Sequence, residues 1–139
     1  MLVKRYMQTK VVMVGPDERA NAALYMMKKK GIRHLLVIDD GKVRGIVTDR
    51  DFRLMRPSPA TSLSIYEVHY LLDKVKVKEI MTKKVITVTP DTPIAEAARL
   101  LLNRRIGALP VLKDEKVVGI ITETDMIRAL ISLEEASQR

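Results

Sequence analysis

Two short stretches carry residue types at a spacing suited to chemistry: Thr48-Asp-Arg-Asp51 and Thr122-Glu-Thr-Asp125. Each places a threonine three residues before an aspartate, where an apolar run gives way to a charged helix start. Two readings share that geometry. Thr-x-x-Asp is a near relative of the capping box, in which the acid reaches back to the amide at the helix entrance. The same helix start offers unpaired N–H groups and the positive end of the helix dipole to a phosphate. A threonine hydroxyl can donate to a phosphate oxygen, and an aspartate can accept both hydroxyls of a ribose cis-diol. The two copies are not equal. Arg50 and Arg53 follow the first, where Thr124 and Ile127 follow the second. Arginine binds phosphate bidentately, so if only one copy binds a polyphosphate it is expected to be the Thr48/Asp51 copy. The plainer alternative is an arginine that is simply solvated on a helix surface.

The elements that must position these residues are themselves duplicated. Residues 3–52 align without a gap on 77–126, an offset of 74, with 19 identities in 50 positions. Composition alone would give about three. The match holds register through the turns, so the chain reads as two copies of one unit. Each unit begins with a short apolar strand, Val11–Val14 or Val85–Val88. Pro16-Asp17, or Pro90-Asp91-Thr92-Pro93, then starts a helix, with Asp or Thr as cap and Pro93 in the first turn. In the second copy Ile94, Ala97, Ala98, Leu101 and Leu102 form the stripe of a helix buried on one face. In the first, Ala20, Ala23, Leu24 and Met27 take the corresponding places, and Gly31 ends the helix.

A hairpin follows: Leu35–Ile38 with Val43–Thr48, and Leu109–Leu112 with Val117–Thr122. Asp39-Asp40-Gly41 has known turn chemistry, whereas Lys113-Asp114-Glu115 lacks glycine and leaves its turn type open. Second helices start at Asp49 and Glu123. The expected fold is α/β (α+β), two tandem β-α-β-β-α repeats packed with pseudo-two-fold symmetry. The first pair of strands in each is parallel and the second antiparallel. The expected boundaries are 1–56 for the first repeat, 57–74 for an insert helix, 75–133 for the second repeat and 134–139 for a polar, frayed tail.

Composition narrows the function. The chain has 139 residues, 25 basic and 17 acidic, for a net charge of +8. Apolar residues reach 47 % and charged ones 30 %, a globular and not a disordered balance. With no cysteine there is no disulfide scaffold, iron–sulfur site, thiolate zinc site or cysteine nucleophile. Two histidines without a His-x-x-x-His spacing leave little for zinc, and no metal is expected. No apolar run reaches the ~20 residues of a membrane helix, and the first residues lack a signal-peptide core. A soluble cytoplasmic protein is expected. The positive charge is scattered over Lys28-Lys-Lys30, Lys83-Lys84 and Arg104-Arg105, with no helix-turn-helix, zinc-finger or RNA-binding aromatic motif, which disfavours nucleic acid. No phosphate-binding glycine loop or nucleophile elbow is present, so an enzyme is not expected.

The segments Val-Lys-Glu-Ile-Met (77–81), Val-Thr-Pro-Asp (88–91), Ile-Gly-Ala-Leu-Pro-Val (106–111) and Val-Gly-Ile-Ile-Thr-Glu-Thr-Asp (118–125) resemble the cystathionine-beta-synthase (CBS) domain. Val-Gly-Pro-Asp (14–17), Ile-Arg-His-Leu-Leu-Val (32–37) and Arg-Gly-Ile-Val-Thr-Asp-Arg-Asp (44–51) do so in the first repeat. Two such domains in tandem form a Bateman module. The segment from Arg56 to Leu72 also resembles the insert of acetoin-utilisation-B-like tandem CBS proteins. The first repeat departs from the pattern at Leu36, where proline is common, and at Arg5, where an acid is common.

The resemblance implies a stand-alone regulatory module that binds AMP, ADP or ATP and acts on an unidentified partner protein. The alternatives are a sensor of S-adenosylmethionine-type ligands, a ligand-free adaptor or a basic nucleic-acid-binding protein. It also implies a homodimer. Carried over from the family, one nucleotide site would combine Val85, Ile86 and Ala108 with Ile46, Thr48 and Asp51, with Arg50 added on the charge argument above. The second would combine Val11, Val12 and His34 with Ile120, Thr122 and Asp125. About half of these strand residues are core in the plainer reading, because side chains alternate across a strand. His34 can stack on adenine or be an ordinary half-buried histidine; His69 has no assigned role.

Overall fold

The computed structural model describes residues 1–55, 67, 70 and 73–138. The insert helix expected over 57–74 falls outside the described residues except at Glu67, Tyr70, Asp73 and Lys74.

Two compact units are present, and they do not follow the repeat boundaries. One comprises Val12–Val85, and the other joins Met1–Val11 to Ile86–Arg139. The first eleven residues, read as the start of repeat 1, pack with the second repeat, and the residues before Ile86 pack with the first. Backbone hydrogen bonding is the physical reason. A helix start has free amides, and each unit's main helix receives a carbonyl from the exchanged segment.

In the unit 12–85, β1 (Met13–Val14), β2 (His34–Asp39) and β3 (Lys42–Thr48) form one sheet in that order. β1 is parallel to β2, with Met13 opposite Leu36, and β2 is antiparallel to β3, with His34 opposite Thr48. Helix α2 (Ala20–Lys30) crosses between the parallel strands, α3 (Asp49–Met55) follows β3, and the short α4 (Val77–Ile80) lies in the exchanged segment. Neither Pro16 nor Asp17 begins α2. Its first residue is Ala20, whose amide donates to the carbonyl of Val75 at 2.8 Å. Asp17 is held by Lys78 instead, at 3.0 Å. Gly31 ends the helix in the left-handed region at φ 64°, as expected.

The unit of 1–11 and 86–138 repeats this plan. Helix α1 (Val3–Tyr6) is its exchanged segment, α5 (Ile94–Arg104) its crossing helix, β4 (Ala108–Lys113) and β5 (Lys116–Thr122) its hairpin, and α6 (Glu123–Ser137) its last helix. The amide of Ile94 donates to the carbonyl of Met1 at 3.0 Å, the counterpart of Ala20 with Val75. Neither Asp91 nor Thr92 caps α5; the Thr92 hydroxyl accepts from the Thr89 amide, and Asp91 pairs with Lys4 at 3.2 Å.

The expected strand Val85–Val88 reduces to a single parallel bridge, Val88 with Val111. Pro110 explains the loss. In the other unit the Leu36 amide adds a long bond of 3.4 Å to the Val12 carbonyl, and proline at the equivalent position has no N–H to give. The departure of Leu36 from the family pattern therefore lengthens the first sheet by a rung. Both hairpin turns have positive φ at their two central residues, Asp40 (53°) and Gly41 (75°), and Asp114 (51°) and Glu115 (65°). The second turn is thus of the same mirror-image kind as the first, without glycine.

Eight core positions are repeat-related, while Phe52 completes one core and Ala129, at a non-equivalent position, the other. Val77, Val14, Ala20, Ala23, Met27, Leu35, Val37 and Val47 fill one; Val3, Val88, Ile94, Ala97, Leu101, Leu109, Val111 and Ile121 fill the other. Two expectations need correction. Leu102 is 77 % exposed, and Leu100 packs against the core in its place. The tail expected to fray over 134–139 is helical to Ser137, whose hydroxyl donates to the Glu134 carbonyl. Leu133, Glu134, Glu135 and Ala136 are good helix formers, so the helix runs on.

Candidate functional site

Both Thr-x-x-Asp copies stand where a strand enters a helix, and in both the aspartate reaches back. The Thr48 amide donates to Asp51 Oδ2 at 2.8 Å and the Thr48 hydroxyl does so at 3.3 Å. The Thr122 amide and hydroxyl donate to Asp125 Oδ2 at 2.9 and 3.2 Å. The capping reading therefore holds at both positions. It uses one oxygen of each carboxylate.

The second oxygen separates the copies. Asp51 is half-buried, and its Oδ1 has no hydrogen bond among the described residues. Arg50 beside it is exposed, with no ion pair among the described residues, while Arg53 leans 4.0 Å from Asp49. Asp125 is fully buried, and its Oδ1 accepts from Gln8 Nε2 and from Arg128 Nη1, each at 2.9 Å. No feature of local sequence pointed to Gln8 or Arg128. The available signal was a break in the repeat, since the equivalent positions hold Thr82 and Leu54.

The exchanged segments set this geometry. Met81 and Thr82 run beside β3, with Ile46 and Thr82 bonded amide to carbonyl both ways at 3.0 and 2.9 Å. Met7 and Gln8 run beside β5 in the same manner, through Ile120 and Gln8 at 2.8 and 2.9 Å. This brings Gln8 within reach of Asp125.

The remaining expected site residues divide between the units. Ile46, Thr48, Arg50, Asp51 and Val85 lie in the unit 12–85, together with Val12 and His34. Ile120, Thr122 and Asp125 lie in the other unit, together with Val11, Ile86 and Ala108. Within units, strand register sets His34 opposite Thr48 and Ala108 opposite Thr122. Ile46, Val85, Val11, Val12, Ile86, His34 and Ile120 are each half-buried, and Ala108 is buried. None of the valines or isoleucines in this set is wholly core.

A depression of about 550 Å³ also lies in the unit 12–85, lined by Asp17, Asp39, Arg44, Lys78 and Lys83 with Pro16 and Met81. None of the expected nucleotide residues borders it. Among the described residues no group of three or more His, Cys, Asp or Glu is placed to hold a metal ion, and no helix is long and apolar enough to cross a membrane.

The family model of the CBS domain matches residues 3–56 and again 77–132. The chain belongs to the CBS domain family. It is a tandem pair, or Bateman module, as the repeat implied. Solved structures agree in fold and extent. A putative acetoin utilization protein (AcuB) from Vibrio cholerae is 27 % identical with a TM-score of 0.80, over 99 % of this chain and 96 % of that one. CBSX2, solved in complex with AMP, is 29 % identical with a TM-score of 0.77, over 96 % and 98 %. The CBS domain pair of protein MJ0100, in complex with 5-methylthioadenosine and S-adenosyl-L-methionine, is 28 % identical with a TM-score of 0.78, over 95 % and 97 %. Related CBS pairs thus bind small adenosine ligands.

Proposed function

We propose that this CBS pair is a sensor of AMP, ADP or ATP and not a catalyst, and that it transmits the bound state to a partner protein. The observation that carries the reading is the Thr48/Asp51 helix start. Asp51 keeps one carboxylate oxygen without a hydrogen bond among the described residues, as a ribose diol requires. The exposed Arg50 supplies a cation for phosphate at the same helix entrance, and the Thr48 hydroxyl can turn from Asp51 to a phosphate oxygen while the Thr48 amide keeps the cap. Arg50 also favours a nucleotide over the S-adenosylmethionine type of ligand, whose sulfonium is positively charged. Binding regulates a partner only if the ligand prefers one of two states of the module.

The homodimer belongs to the same proposal. Ile127, Leu130 and Ile131, spaced along one side of α6, are each more than half exposed and support it. Sedimentation equilibrium tests it.

A thermal-shift series on ligand-stripped protein tests the sensor, with AMP, ADP, ATP, S-adenosylmethionine and a GTP control. A ligand present at 100 times its Kd stabilises the fold by about 2.7 kcal/mol, several degrees in a chain of this size. The expected result is a shift for an adenine nucleotide that disappears in Asp51→Ala. The absence of any shift leaves Thr48 and Asp51 as helix caps and sinks the reading.

A further inference from the structure

We infer that only one of the two Thr-x-x-Asp copies takes a nucleotide, because Gln8 and Arg128 close the other. The inference rests on the proposed nucleotide reading and adds the occupancy and the residues that set it. A carboxylate offers about four acceptor positions. All four are used at Asp125: Thr122 amide and hydroxyl on Oδ2, Gln8 Nε2 and Arg128 Nη1 on Oδ1. The group is fully buried, so a ribose diol must first displace two bonds, one of them to a guanidinium. Asp51 makes only the two bonds to Thr48 among the described residues and remains half-buried.

The difference rests on three of the positions at which the two repeats differ. Thr82 replaces Gln8 and is too short to carry an amide to the aspartate. Leu54 replaces Arg128 and has no donor. Thr124 replaces Arg50, so the closed copy also lacks the cation for phosphate. Gln8 and Arg128 are therefore positioning residues that hold Asp125 as a structural group.

Titration calorimetry with AMP and with ATP, on the ligand-stripped 139-residue chain, reads the stoichiometry. Wild-type protein binds one nucleotide per chain, Asp51→Ala binds none, and the double variant Gln8→Thr, Arg128→Leu, which restores the residues of the first repeat, binds two. The same double variant without ligand melts at a lower temperature than wild type, because Asp125 loses two bonds. Two nucleotides per wild-type chain, or binding that survives Asp51→Ala, overturns the inference and leaves the sensor reading standing. An unchanged melting temperature of the ligand-free double variant also overturns it. No heat from either protein sinks the sensor reading and the inference with it, whereas a wild type that binds one nucleotide and a double variant that binds no more than one overturn the inference alone.

Discussion

A Cβ at Gly45 would stand 2.9 Å from the carbonyl oxygen of Thr82, thirty-seven residues along the chain. It would also stand 2.6 Å from Met81 Sδ. The thioether can swing aside, but the backbone carbonyl is fixed by its bond to the Ile46 amide. Gly119 repeats the relationship, with a Cβ 2.8 Å from the carbonyl oxygen of Gln8. Gly45→Ala is therefore expected to destabilise the fold by about 1–3 kcal/mol, the usual cost of overpacking. Chemical denaturation measures it. A change within a few tenths of a kcal/mol would mean that the segment 81–82 is not held against β3.

The exchange of segments makes a sharper prediction. Val3 is fully buried in the core of the unit that holds residues 86–138, and Val77 is fully buried in the core of the unit 12–85. Truncating either to alanine removes two methyl groups, at about 2 kcal/mol with the cavity included. Amide hydrogen exchange shows where the loss falls. Val3→Ala is expected to speed exchange in β4, β5 and α5, and Val77→Ala in β2, β3 and α2. The reverse pattern would mean that each segment packs with its own repeat and not with the other.

That exchange marks the limit of what the sequence displayed. The repeat, the hairpins, the crossing helices and both Thr-x-x-Asp starts were legible because they depend on local periodicity and turn chemistry. The pairing of Met1 with Ile94 and of Val75 with Ala20 was not, because it joins backbone groups without any requirement on side-chain type. Gln8 stayed invisible for the same reason. It meets Asp125 only because the first residues run along β5. Arg105 shows a different limit: it occupies the left-handed position that Gly31 fills in the first repeat, at φ 54°. A tertiary fold can hold a residue where its own preference would not place it.

A lysine clip fastens each exchanged segment, and the one at Asp17 predicts a dependence on pH. Lys78 donates to Asp17 at 3.0 Å and Lys76 stands 3.6 Å away. The hydrogen bond from Lys78, then the charges of Lys78 and Lys76, hold the Asp17 carboxyl below its ordinary value of 3.8. A carboxyl depressed on folding contributes stability that is complete above its unfolded value. That stability is lost as pH falls through the folded value, because protonation then occurs in both states. The melting temperature of wild type minus that of Asp17→Asn should therefore be positive and flat from neutral pH down to about pH 5. It should close below the ordinary carboxylate value. The group is exposed, so the difference is small and shrinks as salt is raised from low to near-molar concentration. A difference that ignores both pH and salt would show that Asp17 acts through packing and not through its charge.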